Sequence, residues 1–211
     1  MRVDVWSDVV CPWCYVGKAR FEKALRAFGK NDDVEVVYRS FELDPDRPAD
    51  QRETVLGMLS KKYGMAEEDA LAADARVAGL ARAEGLGFDS GRPIGNTFDI
   101  HRVIHLGREQ GVQLPLISAI NEAYFAQARP VFDRDVISDV ASDAGLEYAK
   151  VGEVLDGDAY AAAVRDDERL ARELGITGVP FFVFDMALAV SGAQSPEFFA
   201  SALNRAWPRR G

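Results

Sequence analysis

Residues 7–18 read SDVVCPWCYVGK and place two cysteines at the junction between a predicted strand and a predicted helix. The preceding residues 2–7, RVDVWS, alternate polar and apolar side chains, which predicts a strand. Residues 12–28 then repeat apolar side chains at helical spacing and end before Gly29, a common helix stop. Pro12 fits the first turn of that helix, where a missing N–H costs nothing. The two cysteines therefore stand where a strand has ended and a helix begins.

The rest of the chain extends this start into a β-α-β unit, a helical insertion and an α-β-β-α unit. Residues 34–41 predict a second strand, expected to lie parallel to the first through a right-handed crossover. Further helices are predicted at 50–63, 67–84, 97–110, 115–128, 134–144, 148–156, 159–174 and 196–206, and further strands at 180–184 and 188–191. We therefore predict one domain made of residues 1–44 and 158–211, and an all-helical insertion domain made of residues 45–157.

The composition is that of an acidic globular protein. Lysine and arginine number 25 against 34 aspartate and glutamate residues, which gives a formal net charge of −9, and 48% of the residues are hydrophobic. This balance disfavours a nucleic-acid partner, because phosphate binding relies on clustered basic side chains. No run approaches about 18 apolar residues, and the N-terminus lacks a basic segment followed by an apolar core. We therefore expect a cytoplasmic protein with no membrane partner.

The spacing of the two cysteines points to thiol chemistry. A helix N-terminus carries unpaired N–H groups and the positive end of the helix dipole, which favour a thiolate on the first cysteine, Cys11. Cys14 lies one turn later on the same side and could attack the sulfur of Cys11 to resolve a mixed disulfide. The alternatives are two inert thiols or a structural zinc site completed by His101 and His105. A C-x-x-C motif beside a β-α-β pattern favours redox chemistry over both.

A second motif, GITGVPFF at residues 175–182, precedes a predicted strand. The Val179–Pro180 bond can be cis at modest cost. A cis bond there would point the backbone of Val179 at a substrate chain beside Cys11, offering strand-like hydrogen bonds. The simpler interpretation is a turn that enters the strand, and the nearby C-x-x-C motif favours substrate capture instead.

Three separated segments resemble one known family. Besides the C-P-W-C motif, they are NTFDIHR at residues 96–102 and GVPFFVFDMALAVSGAQ at residues 178–194. Together they resemble the DsbA-like branch of the thioredoxin fold, and within it the FrnE-type group. That group is related to 2-hydroxychromene-2-carboxylate isomerase and kappa-class glutathione transferases. The resemblance implies an α/β thioredoxin-like fold, β-α-β then α-β-β-α around a mixed sheet, with an all-helical insertion domain.

The resemblance also implies which residues contact the substrate. These would be Pro12, Trp13, Val179 and Pro180 near the cysteines, and Asn96, Thr97 and His101 on an insertion helix facing the active-site cleft. Without the resemblance, Asn96 is expected to cap that helix, and His101 and Arg102 to be surface residues on it.

The chain departs from its relatives at several positions. The isomerase and the kappa-class transferases typically have a serine where this chain has Cys11, so two cysteines favour dithiol chemistry. The buried acid that thioredoxin and DsbA keep six residues before the first cysteine falls on Val5. The C-x-x-C motif also lacks the histidine of DsbA, so we expect a potential more reducing than about −120 mV.

We therefore predict a thiol-disulfide oxidoreductase whose partner is a disulfide-containing protein or a small thiol. The reaction would use the redox-active disulfide of Cys11 and Cys14, and we expect no metal and no separate cofactor. A role for glutathione is left open. The first alternative is a glutathione-dependent isomerase or transferase acting on a small aromatic substrate. The second is a zinc-stabilised or thiol-holding binding module. The oligomeric state, including a homodimer, is also left open.

Overall fold

The strand and helix around the cysteine motif form where the sequence predicts them. In the computed structural model, which describes residues 1–207, strand β1 (Arg2–Ser7) leads into helix α1 (Pro12–Phe28). Helix α1 ends at Gly29, whose φ of 70° is the left-handed conformation that closes many helices. Strand β2 (Glu35–Ser40) then pairs parallel to β1, from Arg2 opposite Glu35 to Ser7 opposite Ser40.

The remaining elements include the predicted helices and strands in their predicted order, together with two short strands, β3 (Glu53–Thr54) and β4 (Pro93–Ile94), that the sequence analysis does not predict. In chain order, the remaining elements are β3, α2 (Val55–Tyr63), α3 (Glu67–Ala83), β4, α4 (Phe98–Glu109), α5 (Gln113–Asn121), α6 (Arg134–Asp143), α7 (Tyr148–Asp156), α8 (Ala161–Glu173), β5 (Phe181–Phe184), β6 (Leu188–Ser191) and α9 (Pro196–Ala206). None of the helices within residues 1–207 has the length and hydrophobicity that a membrane-spanning segment needs.

The insertion is not entirely helical. Strands β3 and β4 pair antiparallel as a two-residue ribbon, so the helix predicted from residue 50 begins only at Val55. Thr54 caps that helix by accepting a hydrogen bond from the backbone N–H of Gly57. The helix predicted at 115–128 is also divided, because α5 ends at Asn121 and a π-helical turn, Glu122–Ala126, follows it. Local spacing does not distinguish a π turn from a continuing α-helix.

The chain divides into two compact units. Of the described residues, the first contains Met1–Leu43 and residues 165–207, and the second, the insertion unit, is Asp44–Val164. The sequence places the return to the first unit at residue 158, whereas the packing places it inside helix α8. Of the predicted segment 158–211, the residues after 207 lie outside the described part of the chain.

The first unit is built on a four-stranded mixed sheet in the order β2-β1-β5-β6, with β1 antiparallel to β5. Because side chains alternate between the two faces of a strand, each face has its own core. One face packs on α1 and α9 through an aromatic cluster in which the ring of Phe182 lies 5.2 Å from that of Phe21 and 4.6 Å from that of Phe199. On the other face, Trp6 and Val183 pack with Ala171 and Ile176.

A buried ionic network ties α8 to the second face of the sheet. The guanidinium of Arg39 binds Asp4 at 2.7 Å and Asp167 at 2.6 Å. Asp167 also accepts a hydrogen bond from the backbone N–H of Ser40, while its own carbonyl accepts one from the indole of Trp6. Asp4 is therefore on the face opposite α1, since its neighbour Val5 occupies the other side of the pleat.

Candidate active site

The two cysteine thiols lie at the N-terminus of α1. Cys11 is the N-cap residue, with extended backbone, and Pro12 occupies the first helical turn. The carbonyl of Cys11 accepts hydrogen bonds from the N–H groups of Cys14 and Tyr15, at 3.0 and 3.2 Å. Both cysteines are free thiols, and their residues are buried, with Cys11 4% and Cys14 5% exposed. The turn therefore holds the two side chains close together at the positive end of the helix dipole.

The loop before β5 meets the first thiol. The Val179–Pro180 peptide bond is cis, and the thiol of Cys11 donates a hydrogen bond to the carbonyl of Val179 across 3.7 Å. The carbonyl of Pro180 accepts a hydrogen bond from the N–H of Gly192, which links the loop to the end of β6. The fold therefore places the backbone before Pro180 directly beside the sulfur of Cys11.

Gly17 is a site residue that the sequence reasoning missed. A Cβ atom at this position would lie 2.9 Å from Cγ of Pro180 and 3.4 Å from Cα of Ala193. The separation of 2.9 Å is too short for an unstrained side chain, so the second turn of α1 reaches the loop only because residue 17 is glycine. An isolated glycine inside a helical pattern, which lowers helix stability, is the signal that could have drawn attention to it.

Trp13 lies between the two cysteines in sequence and is 39% exposed. An indole ring with this exposure beside two buried thiols provides apolar contact area at the mouth of the site. Exposed aromatic side chains of this kind are enriched where proteins bind other molecules.

The environment of Cys14 favours its neutral form. Burial raises the pKa of the Cys14 thiol well above its ordinary value, and the neighbouring Cys11 raises it further. Hydrogen bonds from the side chain of Ser7 and the backbone of Asp8 act in the opposite direction. Cys14 is therefore a protonated thiol at neutral pH and has to lose its proton before it can act as a nucleophile.

The two acids nearest the motif in sequence have other partners. Asp4 binds Arg39 on the opposite face of the sheet, and Asp8 is buried with its carboxylate accepting a hydrogen bond from the N–H of Leu43 at 2.8 Å. The Asp8 carbonyl also accepts from the N–H of Cys11, so Asp8 shapes the loop between β1 and α1.

In the insertion unit, Asn96 orders the start of α4. The N-cap residue is Thr97 rather than Asn96, but the side-chain oxygen of Asn96 accepts a hydrogen bond from the N–H of Phe98 at 2.9 Å. Its amide group donates to the carbonyl of Arg47 at 2.7 Å. Asn96 also lines a cavity of about 100 Å³ together with Arg134 and other residues.

His101 and Arg102 are both buried, so the expectation of surface side chains is wrong. The guanidinium of Arg102 binds the carbonyls of Val154, Gly157 and Ala159, which lie at and beyond the end of α7. His105, the second histidine on this helix, stacks on Tyr160 with ring centroids 6.4 Å apart. Within residues 1–207, no group of three or more His, Cys, Asp and Glu side chains is arranged to hold a metal ion.

Comparison with known proteins identifies the family. The model of the DSBA-like thioredoxin domain matches residues 2–204, so the chain belongs to this family of thiol oxidoreductases. The resemblance to DsbA-like proteins predicted from the sequence is therefore confirmed. A curated relative, the uncharacterised protein YwbO of Bacillus subtilis (strain 168), is 28% identical over 205 residues, which cover 97% of this chain and 96% of the relative.

Solved structures agree with this assignment. A probable DsbA oxidoreductase from Streptomyces coelicolor is 51% identical, with a TM-score of 0.95 over 100% of this chain and 92% of its own. The cytosolic disulfide reductase DsbM from Pseudomonas aeruginosa, described with GSH, is 18% identical, with a TM-score of 0.68 over 97% of this chain and 98% of its own. A 2-hydroxychromene-2-carboxylate isomerase is 16% identical, with a TM-score of 0.68 over 97% of this chain and 95% of its own. The last two share the fold.

Proposed function

We propose that this protein is a thiol-disulfide oxidoreductase in which Cys11 is the nucleophile and Cys14 the resolving thiol. The observation that carries the proposal is the position of Cys11, at the N-terminus of α1 with its sulfur 3.7 Å from the carbonyl of Val179. The dipole of α1 favours a thiolate on Cys11, and the backbone beside Val179 offers hydrogen-bonding groups to an extended substrate.

In the first step, the Cys11 thiolate attacks one sulfur of a substrate disulfide. A bond forms between the Cys11 sulfur and that substrate sulfur, while the other substrate sulfur leaves with the bonding electrons and takes up a proton. The substrate is then held in a mixed disulfide with Cys11. Trp13, Pro12 and the Val179–Pro180 loop are the proposed contacts for it.

In the second step, Cys14 loses its proton and attacks the sulfur of Cys11. The bond to the substrate breaks, the substrate leaves as a thiol, and a Cys11–Cys14 disulfide remains. The substrate has gained two electrons and the dithiol has lost them. The same steps in reverse oxidise a substrate dithiol.

Glutathione is the proposed small thiol for this protein. Two glutathione molecules would reduce the Cys11–Cys14 disulfide and leave as oxidised glutathione, which balances the two electrons. The structure of DsbM with GSH supports this proposal, and the cytosolic location of DsbM supports a cytoplasmic one for this protein. Asn96 and His101 remain predicted substrate contacts, to be tested by the KM of His101→Ala and Asn96→Ala.

The test is disulfide reduction by single-cysteine variants. We expect Cys11→Ser to abolish reduction of a protein disulfide, and Cys14→Ser to accumulate mixed disulfides, visible as a mass increase under non-reducing conditions. In the reduced wild type, Cys11 should be alkylated faster than Cys14, and equal alkylation rates would contradict the assignment.

The same variants separate this activity from a glutathione-dependent isomerase. An isomerase uses one residue to activate glutathione and has no need of a resolving thiol. Full turnover of a small aromatic substrate by Cys14→Ser, with no disulfide reduction by the wild type, would therefore replace the proposal.

A further inference from the structure

The turn that follows β6 supports the loop before β5. Within residues 191–194, the backbone N–H of Gln194 donates to the carbonyl of Gly192 at 3.0 Å, and its side-chain amide donates to the carbonyl of Ser191 at 2.8 Å. The N–H of Gly192 in turn donates to the carbonyl of Pro180 at 2.8 Å. The position of Pro180 therefore depends on this segment, here called the 191–194 turn.

Helix α1 binds the 191–194 turn through Arg20. The guanidinium of Arg20 donates a hydrogen bond to the carbonyl of Ala193 at 2.9 Å. Gly17 lies one helical turn earlier on the same side of α1, and a Cβ atom there would lie 3.4 Å from both Cα and Cβ of Ala193. The turn is therefore packed against Gly17 and bonded to Arg20.

A series of contacts joins Arg20 to the sulfur of Cys11. It runs from Ala193 through the preceding residue of the turn to Pro180, and the carbonyl of Val179 then lies 3.7 Å from that sulfur. The first bond of the series is partly buried and has an ionised donor, which makes it stronger than a neutral hydrogen bond. Helix α1 therefore positions the thiol at its N-terminus and, through Arg20, the backbone that lies beside that thiol.

We propose that Arg20 is a positioning residue for the capture of extended protein or peptide substrates, a role that rests on the proposed function. By binding the carbonyl of Ala193, it keeps the backbone of Val179 and Pro180 where an extended chain can form hydrogen bonds with it. Nine residues separate Arg20 from Cys11, which is about 13 Å along the helix axis, so Arg20 acts on the loop and not on the thiol. A disulfide too small to lie along the loop therefore reacts independently of Arg20.

The informative variants change the donor at position 20. Arg20→Met removes the guanidinium and keeps a long apolar side chain, whereas Arg20→Lys keeps a charged donor. The bond to Ala193 uses a single nitrogen of the guanidinium, so an ammonium can replace it in part. Arg26→Met, at an exposed position in the last turn of the same helix, is the matched control.

The experiment compares two disulfides of different size on each reduced protein. Stopped-flow measurement gives the second-order rate constants with which Cys11 attacks a peptide disulfide and hydroxyethyl disulfide, which is too small to lie along the loop. We expect Arg20→Met to slow the peptide reaction by about tenfold or more and to keep the small-disulfide reaction within about twofold of the wild type. Arg20→Lys should recover part of the peptide rate, and Arg26→Met should match the wild type with both disulfides.

Two results would overturn the positioning role. One is a wild-type rate of Arg20→Met with the peptide disulfide, and the other is an equal loss with both disulfides, which indicates general damage to the fold or to the thiol. If Arg20→Met does not fold, Arg20→Lys decides, since its remaining loss has to be confined to the peptide disulfide. A wild type that attacks neither disulfide through Cys11 contradicts the proposed function instead.

Discussion

Gly17 and Pro180 are in such close contact that a Cβ atom on Gly17 would lie 2.9 Å from Cγ of the proline ring. The two residues are far apart in sequence. Their contact packs the loop that contains Val179 against helix α1, whose N-cap residue is Cys11. The carbonyl of Pro180 also accepts a hydrogen bond from the backbone N–H of Gly192, so the loop is held from two sides. The geometry around the Cys11 sulfur therefore depends on the missing side chain at position 17.

Gly17→Ala should impair the site although alanine is the better helix former. The added methyl group would push the ring of Pro180 and with it the carbonyl of Val179 away from Cys11. We expect the rate of mixed-disulfide formation to fall by about tenfold to hundredfold, because misplacement by about 1 Å is enough for such a loss. Stopped-flow measurement of the reaction of Cys11 with a peptide disulfide checks this.

Gly79→Ala is the control for that variant. Gly79 lies inside helix α3, where an added Cβ meets nothing within 4 Å. We expect Gly79→Ala to raise the free energy of unfolding by about 0.5–1 kcal/mol and to leave the rate unchanged. Equal rates for the two alanine variants would show that the contact between Gly17 and Pro180 has no influence on the site.

The reduced protein should lose stability at alkaline pH through Cys14. Its pKa is raised in the folded state, so above about pH 8.5 the unfolded chain ionises Cys14 while the folded chain keeps it neutral. The unfolded state then binds fewer protons, and the free energy of unfolding falls as pH rises. We expect a loss of about 1.4 kcal/mol by about pH 9.5.

Urea unfolding of the reduced wild type and of Cys14→Ser at neutral and alkaline pH measures this effect. The serine variant should lack the loss assigned to Cys14. An identical decline in both proteins would mean that other groups cause it. Tyr38, whose pKa is also raised, adds a further loss only above about pH 10.

Arg39→Met should destabilise the first unit strongly. The substitution leaves the buried carboxylate of Asp167 without the guanidinium of Arg39, while Asp4 keeps the guanidinium of Arg2 at 3.0 Å. Breaking a buried pair from one side typically costs about 3–5 kcal/mol. Adding Asp167→Asn to the same variant should recover part of the loss, because it removes the uncompensated charge.

Arg169→Met on α8 is the control for Arg39→Met. Arg169 pairs with Asp166 and Glu173, but all three side chains are exposed. Chemical denaturation should show little change for it, since exposed ion pairs contribute little. A similarly small effect of Arg39→Met would contradict the structural importance of the buried network.

Arg102→Lys should destabilise the insertion unit. The guanidinium of Arg102 satisfies three backbone carbonyls around the end of α7, and an ammonium cannot reproduce its planar fork of donors. We expect a loss of at least about 2 kcal/mol, because buried carbonyls left without donors are costly. Arg108→Lys, at an exposed position of the same helix, is the control and should leave the thermal unfolding temperature unchanged. If the two variants lower that temperature equally, the hydrogen bonds of Arg102 do not stabilise the insertion unit.

Part of the fold could be predicted from local sequence patterns, and part could not. The bounds of β1 and α1 and the order of the other predicted helices and strands could be predicted, because side-chain alternation, helical spacing and terminal glycines act within a few residues. The ribbon of β3 and β4 could not, since its two-residue strands are too short to show a pattern and form only by pairing with each other. The burial of His101 and Arg102 was also missed, because a histidine beside an arginine has no apolar signature.

Two thiols at a helix N-terminus after a strand follow from the amino-acid order alone, because Cys11, Pro12 and Cys14 are neighbours and helix starts are local events. Only the tertiary structure brought Val179 to the sulfur of Cys11, across 168 residues of chain. That approach depends on the sheet order, which sets β5 beside β1, and on the absent side chain of Gly17. Contacts of this kind arise from packing between distant segments, and no local pattern encodes them.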